Sequence, residues 1–140
     1  MSGQTSIEVS HNLDKAGFRT FSDGMYMQVL AGEEAGTWKW IEGHETAPAN
    51  KHCILSYRAD TLEEWLLSLG AKEVAEKMGV RTLAENGDHA CLRIEQIRID
   101  FKGTVGYVVQ LSRPIQVGAQ NPVLVDALGG LVCEVMKVMA

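Results

Sequence analysis

Apolar and polar residues alternate on both sides of Gly103, and this period of two constrains the fold more than any other feature of the 140-residue chain. Alternation of this kind is typical of β-strands with one buried face. A three-residue connection would set Phe101 opposite Val105. It would also set Ile99 opposite Tyr107, so that the apolar residues of both strands share one face. The pattern therefore predicts an antiparallel hairpin with an odd-length loop around Gly103.

The alternation changes phase upstream of this hairpin, because Leu92 and Ile94 occupy even positions whereas Ile97 occupies an odd one. A bulge at Glu95–Gln96 would bring both sets to the same face. Further upstream, runs of apolar and aromatic residues bounded by glycines and other turn residues predict three more strands. These strands cover residues 26–30, 37–41 and 52–58.

Helical spacing of apolar residues is found in two places. One helix is predicted from Asp60 or Thr61, each of which has a glutamate three positions later, the spacing of a capping box. Its apolar residues form two stripes on nearly opposite sides, so a break near Gly70 is predicted. The other helix is predicted to begin with Asn121 as its N-cap and Pro122 as its first helical residue.

Together these elements predict a single α+β domain over residues 1–140, with residues 1–10 loosely held. The predicted order is roughly β-β-β-α(α)-β-β-α, with about five mainly antiparallel strands in one sheet and helices packed on one face. This order is loosely similar to that of the small acidic chaperones of bacterial secretion systems. Those proteins bind client segments as dimers, and the resemblance rests on element order alone.

Composition and charge narrow the function. The formal net charge of −5 offers no basic surface for nucleic acid or for an anionic membrane. The sequence has no signal peptide and no apolar run long enough to span a bilayer, so a cytoplasmic location is expected. Its three cysteines are widely spaced, as expected of free thiols in a reducing compartment. The sequence has no phosphate-binding motif, and we expect no cofactor.

Histidines and cysteines offer two kinds of chemistry. His89 and Cys91 are two positions apart and would share one face of a strand, where His52 of a neighbouring strand could help to hold a metal ion. Alternatively, Cys91 or Cys53 could act as a nucleophile with a nearby histidine as its base. The simpler interpretation is that the cysteines are small core residues, so the metal site is kept as a remote alternative.

Aromatic residues provide the candidate ligand site. Trp38 and Trp40 are two positions apart on a predicted strand, so both side chains project to one face. Paired aromatic side chains can line a pocket or anchor an interface. The predicted ligand-binding set consists of Trp38, Trp40, His44, Tyr57 and Tyr107.

Gly129 and Gly130 provide the candidate interface. Glycine inside a helix costs roughly 1 kcal/mol relative to alanine, so two in succession suggest close packing against a neighbour, either the sheet or a partner subunit. Cys133 lies one turn further along the same helix and completes the predicted interface set.

The sequence therefore predicts a non-catalytic binding or adaptor protein, a homodimer that recognises a protein or peptide partner. The alternative is a small-molecule-binding domain or a small enzyme with a pocket lined by the aromatic and histidine set.

Overall fold

The described part of the chain comprises three helices and six strands in the order α-β-β-β-α-β-β-β-α. The computed structural model describes residues 3–18, 22–42, 53–69, 91–98, 100–113 and 116–139. The helices are α1 (Ile7–Lys15), α2 (Ala59–Ser68) and α3 (Leu124–Met139). The strands are β1 (Gly24–Gln28), β2 (Trp38–Glu42), β3 (Cys53–Ser56), β4 (Cys91–Arg98), β5 (Val105–Arg113) and β6 (Val117–Asn121).

The first three strands form an antiparallel sheet with β1 in the centre. Met25 of β1 pairs with Ile41 of β2 and with Leu55 of β3. Residues opposite each other in an antiparallel pair share a face, and Met25 and Leu55 both pack in the core. The three strands predicted in this part of the sequence are therefore found, with slightly shifted ends.

The last three strands form a second antiparallel sheet with β5 in the centre. Ile94 of β4 pairs with Val109 of β5. Leu92 pairs with Leu111 in the same ladder. Val109 and Leu111 are fully buried, so this face of the hairpin contributes to the core. The predicted antiparallel hairpin is confirmed, although its connection differs from the prediction.

The connection between β4 and β5 is longer than three residues. Arg98 pairs with Val105, so the predicted opposition of Phe101 and Val105 is wrong. Tyr107 pairs with Gln96, so the predicted pair of Ile99 and Tyr107 is also wrong. Ile99 itself lies outside the described residues. The aspartate that precedes Phe101 accepts hydrogen bonds from two backbone N–H groups of the connection and closes a turn there. The ladder therefore resumes only at Val105.

The predicted bulge at Glu95–Gln96 is also wrong. The ladder is regular beyond Leu92, and its one shift lies between Cys91 and Leu92. Ile97 consequently lies opposite Gly106 and on the other face of the sheet from Leu92. The bulge was predicted on the assumption that all apolar residues share one face of the sheet, but Ile97 lies on the other face.

The prediction of one sheet of about five strands is corrected to two sheets of three strands among the described residues. The strand missing from the prediction is β6, where Val117 and Ala119 are half-buried and alternate with exposed residues. Small residues such as Ala119 and Gly118 carry little strand signal, which is why the sequence did not reveal it. The α+β class itself is confirmed.

Helix α2 buries the stripe that the sequence predicted. Leu62, Trp65 and Leu66 are buried, as is Leu69 at the C-cap, whereas Leu67 on the second stripe is half exposed. The break predicted near Gly70 and the second helical piece lie outside the described residues.

Helix α3 begins later than predicted. Asn121 ends β6, and its side-chain oxygen accepts a hydrogen bond from the N–H of Val123 at 2.9 Å. The first helical residue is Leu124, so the assignment of Pro122 to that position is wrong. The asparagine caps a turn between strand and helix and not the helix itself.

The N-terminal segment is tied to α3. The hydroxyl of Ser6 caps α1, and the backbone N–H of Ser6 donates a hydrogen bond to Oδ1 of Asp126 at 2.8 Å. Thr5 and Ser10 are buried, and their hydroxyl oxygens lie 2.7 Å apart in a hydrogen bond. Where the sequence suggested a loosely held segment, the structure thus places a capped helix anchored by buried polar groups.

The largest buried cluster draws on both sheets and all three helices. Leu13 of α1, Leu55 of β3 and Leu111 of β5 meet the buried face of α3 in it. Phe18 contributes two edge-to-face aromatic contacts to this cluster, with ring centroids 4.9 Å from Tyr57 and 5.1 Å from Trp65. One core therefore fixes the elements that carry the candidate sites below.

Candidate functional site

Trp38 and Trp40 lie on the face of the first sheet opposite to Met25 and Leu55, and buried Ile54 shares the face of the two tryptophans. Trp40 pairs with Tyr26, and the adjacent Met25 points to the opposite, core-packed face. The Trp40 ring crosses Gly24, where a Cβ would lie 2.6 Å from the indole, and its N–H donates to the hydroxyl of a β3 serine at 2.7 Å. The two tryptophans share one face, as predicted, and both are half-buried.

The structure does not bring Tyr57 or Tyr107 of the predicted ligand-binding set to Trp38 and Trp40. Tyr57 is buried in the core on the other side of the sheet, and Tyr107 belongs to the second sheet. His44 lies outside the described residues. Among the described residues, therefore, this set does not converge on one pocket.

Gly129 of the predicted interface set contacts another part of the same chain. A Cβ at Gly129 would overlap Cγ1 of Val9 and lie 3.4 Å from Cγ2 of Thr5, so the missing side chain lets α1 approach α3. A Cβ at Gly130 would meet Cβ of Ala119 at an ordinary 3.5 Å. Close packing is thus found at Gly129, but its neighbour is the segment that contains α1 and not the sheet or a partner subunit, as the sequence had suggested.

Two of the four candidate chemical residues, His52 and His89, lie outside the described ranges. Cys91 is exposed at the start of β4, and Cys53 is half-buried at the start of β3. Within the described ranges, no three histidine, cysteine, aspartate or glutamate side chains are grouped so as to hold a metal ion. Burial raises the pKa of the Cys133 thiol, with Lys137 lowering it and Glu134 raising it to a smaller degree. Cys133 is therefore a neutral thiol near pH 7 and not a nucleophilic thiolate.

The turn between β4 and β5 holds an aromatic side chain in solvent. Phe101 is fully exposed at the tip of this hairpin. Oδ1 of Asp100 accepts hydrogen bonds from the N–H groups of Lys102 at 2.9 Å and Thr104 at 3.0 Å. Gly103 adopts a φ of 84°, which favours glycine. The turn is therefore fixed by side-chain and backbone preferences, and Phe101 is held outward by a rigid support.

The hydrogen bonds of this turn also affect the pKa of Asp100. Hydrogen bonds from the side chain and backbone of Thr104 lower the pKa of Asp100, with smaller contributions from the N–H groups of Lys102 and Gly103. The carboxylate is thus hydrogen-bonded to backbone groups of the turn. Arg98 and Lys102 are exposed beside Phe101, so the tip combines an apolar ring with two cations.

Sequence reasoning missed the role of Phe101 because the residue continues the alternation of Ile97. The available signal was the local order Asp100, Lys102 and Gly103, since an aspartate two or more residues before a glycine is typical of a tight turn. A turn at that place puts Phe101 at the tip and removes it from the ladder.

A concave surface lies between α1 and α3. It is a half-open groove of about 490 Å³. Val9 and Ala16 of α1, with Gly130 and Cys133 of α3, supply its apolar lining. Its polar lining residues are Asn12, Lys15, Glu134 and Lys137. The sequence did not indicate this groove, because the mixed apolar spacing of residues 7–21 does not decide between a short helix and an irregular segment.

Comparisons with known proteins identify no relative, since no family model, no curated protein and no solved structure matches the chain. None of the helices in the described ranges is long and apolar enough to cross a membrane. The β4–β5 turn and the groove between α1 and α3 are therefore the two candidate functional surfaces among the described residues.

Proposed function

We propose that this chain is a non-catalytic binding or adaptor protein that recognises a protein partner with the β4–β5 turn, Phe101 being the anchor. The observation that carries the proposal is a fully exposed phenylalanine on a turn that Asp100 and Gly103 hold fixed. Aromatic side chains dominate the energetics of protein interfaces when a partner pocket covers them. A rigid support also lowers the entropy lost on binding.

The chemistry of the tip defines the kind of partner surface. Phe101 requires an apolar pocket, and exposed Arg98 and Lys102 favour carboxylates at its rim. Hydrogen bonds lower the pKa of Asp100, so its carboxylate stays ionised, and the two cations exceed it by one positive charge. The proposed partner is thus a folded protein with an acidic-rimmed apolar pocket.

The test is affinity capture with three tagged baits: the wild-type chain, Phe101→Ala and Leu30→Ala. Leu30 is the matched control, because it is also strongly exposed in a turn, the one between β1 and β2. We expect Phe101→Ala to lose a partner that the other two baits retain, with an affinity at least about thirtyfold weaker for an anchor residue. A partner bound equally by all three baits would contradict the proposal.

The proposed adaptor is a homodimer. Among the described residues β4 pairs on one side only, with β5, so its other edge presents unpaired backbone groups over an eight-residue strand. Two copies of an edge strand can pair antiparallel about a two-fold axis. Light scattering at micromolar concentration should give twice the mass of the chain. A monomer mass would refute the dimer and leave the role of Phe101 intact.

A further inference from the structure

We propose that the groove between α1 and α3 binds a small amphipathic carboxylate, with its apolar tail on the groove floor and its carboxylate beside Lys15 and Lys137. This site is separate from the β4–β5 turn, so the proposal does not rest on partner binding by Phe101. It assigns a ligand class to a surface whose shape and lining differ from those of the turn.

The groove exists because of how the two helices pack. Ser6 contacts Asp126, and Val9 lies against Gly129, so the helices run in the same direction. The glycine lets them touch at this point. Beyond it, Gly130 of α3 and the residues that follow line an open space of about 490 Å³, within the range of small-ligand sites.

The floor of the groove is suited to an aliphatic tail. Val9 and Ala16 line it from α1, and Gly130 and Cys133 line it from α3. Cys133 is buried and its pKa is raised by that burial, so it contributes a small, uncharged and weakly polar surface. Val9 and Ala16 are seven residues apart, which gives the groove a length of about 10 Å along α1. A linear chain of medium length fits this shape.

The charges lie at one end of the groove. Because the helices are parallel, their C-terminal turns place Lys15 and Lys137 at the same end, and both side chains line the groove. Glu134 forms an ion pair with Lys137 at 3.2 Å. Lys15 forms no ion pair with any described residue, so this end carries one cation in excess. A single carboxylate complements that charge.

A carboxylate fits better than a phosphate ester. A phosphate monoester carries a charge of about −1.5 to −2 near pH 7, more than one excess cation neutralises, and it is commonly bound by backbone N–H groups at a helix N-terminus. This end of the groove offers two lysines at helix C-termini, where the N–H groups point away. Its donors are point charges suited to one compact anion of low charge.

The probe is decanoate, titrated into the full chain by calorimetry, with decylamine and decanol as charge-reversed and neutral controls. We expect one decanoate per chain with a Kd below about 1 mM, weaker binding of decanol and none of decylamine. Lys15→Gln should weaken decanoate binding about tenfold without weakening decanol binding. Lys102→Gln, on the distant turn, should change neither.

A steric variant tests the position of the site. Asn12→Trp would fill the groove from its exposed rim, whereas His11→Trp adds the same ring to an exposed position of α1 that does not line the groove. Asn12→Trp should abolish decanoate binding and His11→Trp should preserve it. The proposal is overturned if decanoate does not bind, binds at several sites per chain, or binds equally to both tryptophan variants.

Discussion

Replacing Gly129 by alanine tests the packing of α1 on α3, and the next residue supplies the control. A Cβ at Gly129 would overlap Cγ1 of Val9, whereas a Cβ at Gly130 would meet Ala119 at an ordinary distance of 3.5 Å. Both positions lie inside α3. The two substitutions therefore have the same effect on helix propensity and differ only in what the new methyl group meets.

The magnitude follows from two opposing effects. Alanine in a helix interior is more favourable than glycine by about 1 kcal/mol, and Gly130→Ala should keep most of this gain. At Gly129 the extra methyl group also overpacks the contact with Val9, which costs about 1–3 kcal/mol. Val9 is half-buried and can yield in part. We expect Gly129→Ala to be about 2 kcal/mol less stable than Gly130→Ala.

The assay is urea unfolding monitored by circular dichroism and by tryptophan fluorescence. A thermal scan should show midpoints roughly 6–8 °C apart for a chain of this size. Val9→Ala should cost less in the Gly129→Ala background than in the wild type, with a coupling of about 1 kcal/mol. Equal stabilisation by both alanines, or no coupling to Val9, would refute the packing of α1 on Gly129.

Three other predictions concern α2, the turn and the thiols. Trp65→Ala should destabilise the fold by about 3–5 kcal/mol in urea unfolding, whereas Leu67→Ala on the exposed side of α2 should change stability by less than about 0.5 kcal/mol. The lowered pKa of Asp100 means that its carboxylate stabilises the fold above the ordinary carboxyl pKa of 3.8. That contribution is lost as pH falls through the folded-state pKa, so the stability difference between wild type and Asp100→Asn should be constant near neutral pH and shrink below pH 3.8; a difference that grows on acidification would contradict this. Iodoacetamide should label exposed Cys91 faster than buried Cys133 in the native protein, with equal rates after unfolding.

Local patterns were enough to find the elements that bury one face of their own sequence. The apolar stripe of Leu62, Trp65 and Leu66 predicts α2, and all three residues are buried. Alternation likewise predicts the strands on both sides of Gly103. In α2 the spacing of apolar residues determines both the helix and its buried face, whereas in the hairpin it determines the two strands but not the face of Ile97.

The elements that the sequence did not predict depend on contacts between residues that are far apart in the sequence. Helix α1 has few apolar residues, and one of its two buried residues is Ser10, which is hydrogen-bonded to buried Thr5 just before the helix. Its position follows from Gly129 and Asp126 on α3, and local spacing cannot reveal such a partner. Strand β6 contains the small residues Gly118 and Ala119 and is held in the second sheet by its pairing with β5.

The candidate sites were hidden for related reasons. Phe101 continues an apolar alternation, and only the hydrogen bonds of Asp100 remove it from the ladder. The groove requires two helices from opposite parts of the sequence, so neither helix predicts it alone. The shared face of Trp38 and Trp40, by contrast, follows from a spacing of two and is present in β2.

The hydrogen bond between Ser6 and Asp126 joins residues 120 positions apart, and this separation has a consequence for biosynthesis. Ribosomes add roughly 5–20 residues each second, so α1 leaves the ribosome several seconds or more before α3 exists. During that interval Val9 and Leu13 have no helix to pack against. Helix α1 therefore reaches its final position only after α3 has been made, and a chain arrested before Asp126 would expose α1 to chaperones and proteases.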